Sequence, residues 1–141
     1  MIQLLRTYRF CASHVLARPG WSREENERLF GSAAHPSGHG HNYRLTIVLE
    51  GEPDADTGRL VDFEALDAEV DERVIRVYDH RNMNLDVPSL AGRVPTLEVV
   101  LEDLWKRLAD MPFAARLVEI RLRQDEITEA VFHGSRGADL V

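Results

Sequence analysis

One cysteine, Cys11, leaves this chain unable to form an internal disulfide, and a lone thiol fits a reducing compartment. No apolar run approaches the ~20 residues that a membrane-spanning helix needs. The opening segment, Met1-Ile2-Gln3-Leu4-Leu5-Arg6, lacks the long apolar core and cleavage site of a signal peptide, so a cytoplasmic protein is expected. Basic residues are in deficit. Seventeen Lys and Arg stand against 24 Asp and Glu, a formal charge of −7, which argues against nucleic acid or an anionic membrane as partner. Internal repeats and low-complexity tracts are also missing. What remains, with 44% hydrophobic and 29% charged residues over 141 positions, is an ordinary globular protein. A single domain spanning 1–141, large enough for a real core, is expected.

The information is concentrated in histidines. His39-Gly40-His41 opens a stretch in which Tyr43, Leu45, Ile47 and Leu49 alternate with Arg44, Thr46, Val48 and Glu50. That is the period of a strand, so His39 and His41 project from one face. A third imidazole from a neighbouring strand, His14 in Phe10-Cys11-Ala12-Ser13-His14, would complete the open three-ligand zinc site that catalysis uses. Gly40, between the pair, lets another backbone or a ligand approach closely. His35, His80 and His133 compete as ligands, and spacing alone does not exclude His35.

Residues 2–14 have strand character, with Phe10, Ala12 and His14 on one face and Cys11 and Ser13 on the other. Residues 18–38 read as an irregular excursion, long enough in a small domain to suggest function. A second strand runs from about His41 to Gly51 and ends in the turn cluster of residues 52–58. Asp62 is placed to cap a helix whose apolar positions are Phe63, Leu66, Val70, Val74 and Val77. Residues 79–88 again look irregular, and Thr96 caps a second helix with the stripe Leu97, Val100, Leu101, Leu104, Trp105 and Leu108. Short strands follow at 117–122, with Val118, Ile120 and Leu122 facing one way, and at 130–133. Strands grouped at both ends around two helices predict an α+β fold: a four-stranded antiparallel sheet with two helices on one face. Its two edges must be covered or paired with other subunits.

Taken in order, Phe10-Cys11-Ala12-Ser13-His14, the segment Glu24 to Gly31, Pro36 to Tyr43, Asp56-Thr57-Gly58, Val61-Asp62-Phe63 and Asp79 to Asp86 resemble the 6-pyruvoyl-tetrahydropterin synthase family, which includes the 6-carboxytetrahydropterin synthases. The resemblance covers nearly the whole chain. It implies the tunnelling fold, in which the sheets of three subunits join into one barrel and two trimers stack into a hexamer. It implies a zinc ion on His14, His39 and His41, and a pterin substrate whose side-chain oxygens the metal polarises. It also implies that Asp79 and His80 take part in proton transfer and that Thr96 contacts the pterin, although Thr96 serves equally as a helix cap.

Two positions depart from the family. The catalytic cysteine of pyruvoyltetrahydropterin-forming members falls at Ala33, and that of the carboxytetrahydropterin synthases at His35. The glutamate that grips the pterin falls at Gln124, or, with a one-residue shift in the turn, at Asp125. Cys11 is a poor rescue, reading as a small buried hydrophobe that faces away from His14. His35 is the first choice for a replacement base because its loop runs into the zinc ligands, with a carboxylate of the Glu24–Glu27 segment as the other option. The expected function is a zinc-dependent lyase acting on 7,8-dihydroneopterin or its triphosphate with altered base chemistry. The alternatives are a scaffold reassigned to a non-pterin substrate and a non-catalytic zinc- or pterin-binding homologue.

Overall fold

The computed structural model describes residues 1–135; the last six positions of the expected domain lie outside the described residues. Two long strands, β1 (Ile2–His14) and β2 (His39–Gly51), pair antiparallel along their whole length, from Ile2 opposite Gly51 to His14 opposite His39. β4 (Arg116–Arg123) continues the antiparallel sheet beside β2, and β5 (Glu129–His133) closes that side. The four expected strands are joined by a fifth: the two-residue β3 (Arg81–Asn82) runs parallel to Ala12 and Ser13 of β1. The sheet order is therefore β3-β1-β2-β4-β5, with β3 and β5 as its edges.

One face of this sheet carries the core. Phe10, Tyr43, Leu45, Ile47, Leu49, Ile120 and Leu122 meet Leu66, Val70, Val74, Val100, Leu104 and Leu108 from the helices. α2 (Phe63–Val70), a π-helical stretch (Asp71–Ile75) and α3 (Arg76–Tyr78) form one continuous run, capped as expected by Asp62, whose carboxylate accepts the N–H groups of Glu64 and Ala65. α5 (Leu97–Leu108) is capped by Thr96, whose hydroxyl accepts Val99 N–H. The stripe predicted for the first run holds at Leu66, Val70 and Val74, but Phe63 stays exposed beneath the Arg6 guanidinium, 4.4 Å from its ring centroid. Arg6 also reaches both carboxylate oxygens of Asp67 at 2.7 Å, and Tyr8 donates to the same carboxylate, so the polar side of α2 is tied to β1.

Three segments differ from expectation. The polar run after Trp21 forms α1 (Arg23–Phe30), capped by Ser22 with Glu24 and Glu25 in its first turn, and a 3₁₀ turn (Gly31–Ala34) follows. Its only buried residue is Asn26, so no apolar stripe announced it. A short helix, α4 (Met83–Asp86), likewise occupies part of the segment expected to be irregular. In β4 the register slips: Glu119 pairs with Val48 but Leu117 with Leu49. This bulge displaces Val118 and packs Leu117 against the core instead, which explains why alternation there was ragged.

Candidate metal centre and adjoining cleft

The β1–β2 register brings the site together. With His14 opposite His39 and Ala12 opposite His41, three imidazoles collect at one end of the long strand pair. The ring centroids lie 4.5 Å (His14–His39), 5.2 Å (His14–His41) and 5.0 Å (His39–His41) apart, every pair steeply inclined. One nitrogen from each ring lies within 4.8 Å of the others. Gly40 suits this position, since a Cβ would come within 3.2 Å of the Ala12 carbonyl oxygen, a tight contact.

The arrangement fits a zinc ion. His14 is 2% exposed, and its Nδ1–H donates to the Pro95 carbonyl at 2.8 Å, leaving Nε2 bare and aimed at the cluster. Its Nε2 stands 3.0 Å from His39 Nε2, close to the ~3.3 Å separating two nitrogens on a tetrahedral zinc with bonds of about 2.0–2.1 Å. Burial lowers the His14 pKa to about 4, with His39 and His41 pushing the same way. Burial and His39 also lower that of His41. These two rings are thus biased toward the neutral state, in which imidazole ligates.

Residues beyond the ligands hold them in place. Just after His14, Asn84 grips the main chain of Val15 twice, its Oδ1 accepting Val15 N–H at 2.8 Å and its Nδ2 donating to Val15 O at 3.0 Å. Neither Asn84 nor the Pro95 carbonyl was singled out from sequence; the Asn-Met-Asn segment was the one available signal for the former. His35 lies in the exposed turn after Ala33, where its Nδ1 accepts Ser37 N–H at 3.2 Å, and it is not one of the converging imidazoles. His133 is exposed, 3.1 Å from Glu119. The Tyr43 hydroxyl, beside His41, is fully buried and without a partner among the described residues.

Asp79 and His80 lie together, but against Cys11 rather than among the three clustered imidazoles. Asp79 Oδ1 accepts Cys11 N–H at 3.0 Å, and Cys11 Sγ is 3.7 Å from His80 Nδ1. Cys11 does face away from His14, as strand alternation requires, but the reading of it as a small buried hydrophobe is corrected: it is only partly buried. A cleft of about 880 Å³ is lined by Cys11, Asp79, Gly40 and His41, and by Gln124 and Asp125 from the β4–β5 turn. Both candidate anchors therefore sit on one rim. The N–H groups of Ile127 and Thr128 hold the Asp125 carboxyl below the usual range, and His41 lies close enough to add to this. Thr96 directly follows the residue whose carbonyl receives His14.

Fold and site together define an α+β domain with a three-histidine cluster able to hold a metal. Comparison with known proteins makes this specific. The family profile for 6-pyruvoyl tetrahydropterin synthase matches residues 3–134. The human 6-pyruvoyl tetrahydrobiopterin synthase is 33% identical over 132 residues, covering 94% of this chain and 91% of that protein. The corresponding protein of Pongo abelii is 34% identical with the same coverage. A solved structure of Caenorhabditis elegans 6-pyruvoyl tetrahydropterin synthase superposes with a TM-score of 0.82 at 29% identity, covering 95% of this chain and 96% of that one. The chain belongs to the 6-pyruvoyl tetrahydropterin synthase family of pterin-processing lyases, and both the expected family and its tunnelling-fold subunit hold.

Proposed function

We propose that this protein is a zinc-dependent lyase acting on 7,8-dihydroneopterin or its triphosphate, with base chemistry altered by Ala33. The observation that carries the reading is the convergence of His14, His39 and His41, with Pro95 fixing the first of them, in a chain of this family. When bound, zinc supplies a Lewis acid that polarises side-chain oxygens of the substrate. The chain's own residues do the rest. Gln124 offers the pterin edge one amide, with Asp125 beside it in the cleft as the available carboxylate, and Thr96, next to the Pro95 carbonyl that holds His14, adds a contact near the cluster. Asp79 and His80 move protons, the carboxylate steadying the cationic imidazole, 3.6 Å from its Nε2. His35 remains a competing base in the loop that leads to the ligands.

Ala33 has no titratable atom, so ordinary 6-pyruvoyl- or 6-carboxytetrahydropterin formation should run slowly, short of the ~10²–10⁴-fold that a general base supplies. Ala33→Cys should raise it. Among the described residues β3 and β5 are the edges of the sheet, which favours assembly, and we place the protein in a homohexamer of two trimers with active sites at subunit interfaces. The single cysteine suits the cytoplasm. The test is incubation of zinc-loaded protein with each pterin, followed by mass analysis of the products. Turnover supports the lyase reading. Binding without turnover supports a non-catalytic homologue, and the absence of both binding and turnover supports reassignment to a non-pterin substrate.

A further inference from the structure

We propose that Cys11, with His80 and Asp79, supplies a thiolate base from the opposite face of β1, in place of the thiol missing at position 33. This rests on the lyase reading for its substrate but not for its chemistry. Three observations carry it.

First, the imidazole stands between thiol and carboxylate and offers each a different nitrogen. His80 Nδ1 is 3.7 Å from Cys11 Sγ, and Nε2 is 3.6 Å from Asp79 Oδ2. Nε2–H facing the carboxylate leaves Nδ1 bare toward the thiol, the order of groups that activates a nucleophile or a base.

Second, the main chain holds the three groups together. Cys11 N–H donates to Asp79 Oδ1 at 3.0 Å, and His80 N–H donates to Cys11 O at 2.7 Å. His80 is the only non-glycine residue with positive φ among those described, at 59°. A left-handed backbone of this kind persists only where its surroundings impose it, and here it presents a largely solvent-exposed ring to the thiol.

Third, the thiol is accessible. Cys11 lines the cleft that also carries Gln124 and Asp125, and a second one of about 510 Å³ with His80 and Asn82. A ligand gripped by the β4–β5 turn therefore lies in the same cleft as the sulfur.

The proton balance is simple. The S–H bond breaks as an N–H bond forms at His80 Nδ1, giving thiolate and imidazolium beside the Asp79 carboxylate. The thiolate then takes a proton from the substrate carbon next to the heterocycle. That C–H bond breaks, an S–H bond forms, and the electron pair stays on the substrate, conjugated with the ring. His80 returns its proton to the product, and no oxidant or reductant is involved.

Because Cys11 is the sole cysteine, iodoacetamide reports on it alone. The experiment measures the alkylation rate of zinc-loaded protein near neutral pH, its protection by 7,8-dihydroneopterin, and turnover. Two variants accompany the wild type: Cys11→Ser, and His80→Asn, which tolerates the left-handed backbone. The expected result is alkylation at least ten-fold faster than that of free glutathione, slowed several-fold in His80→Asn and blocked by the pterin. Turnover should fall at least 100-fold in Cys11→Ser with zinc content unchanged. Equal alkylation rates in wild type and His80→Asn overturn the inference, whether or not pterins are turned over. So does wild-type turnover by Cys11→Ser. A wild type inactive on both pterins, with alkylation still dependent on His80, removes the lyase reading but leaves the activated thiol standing.

Discussion

His14 combines two roles: it is the most buried member of the cluster and the one whose tautomer the main chain fixes. Its pKa of about 4 has a consequence for the metal-free protein. A histidine whose folded pKa lies below the unfolded value near 6.5 favours folding fully above pH 6.5, and that contribution is lost as pH falls toward 4. Each unit is worth about 1.4 kcal/mol, so the loss is on the order of 3 kcal/mol across this window. Urea unfolding of the metal-free protein between pH 7 and 4 should show a decline that His14→Phe largely removes. A profile flat over that range in the wild type would contradict it. The pair formed by Cys11 and His80 shows where sequence stops being informative at this scale. Alternation correctly turned Cys11 away from His14, but only the parallel contact of residues 79–82 with β1 brings His80 to its sulfur, and no local pattern encodes that contact.

At the level of elements, hydrophobic period and capping chemistry made most of the fold legible. β1, β2 and the stripe of α5 follow from alternation and helical spacing, and Asp62 and Thr96 both cap as their positions suggest. α1 escaped because its signal is polar: a Ser22 cap and acidic first turn without an apolar face. The β4 bulge escaped because a single extra residue reverses the facing of everything before it. Gly134 directly follows β5, and a Cβ there would lie 2.5 Å from the Trp105 ring. Thr96 allows its two roles to be separated. Thr96→Ala should cost about 1 kcal/mol through the lost cap, whereas Thr96→Ser keeps the hydroxyl and should cost little. If Thr96 also contacts the pterin, KM will rise in the alanine variant at temperatures where it is fully folded. An unchanged KM would leave it a cap alone.

For the whole molecule, assembly with other subunits would account for the edges of the sheet. Among the described residues the sheet ends in the two-residue β3 on one side and in β5, with Val131 exposed, on the other. A closed ring of subunits would remove both edges. Light scattering at micromolar concentration should give six times the chain mass, or three times it if the trimers separate; a monomer would contradict the proposed assembly. The central claim is the metal itself. X-ray absorption at the zinc edge, on protein whose metal content has been measured, tests it most directly. The account predicts one zinc per subunit with three nitrogen ligands at about 2.0–2.1 Å and a light atom completing the shell, lost in His39→Ala and retained in His35→Ala. Protein without stoichiometric metal, or a site that survives loss of His39 but not of His35, would contradict it.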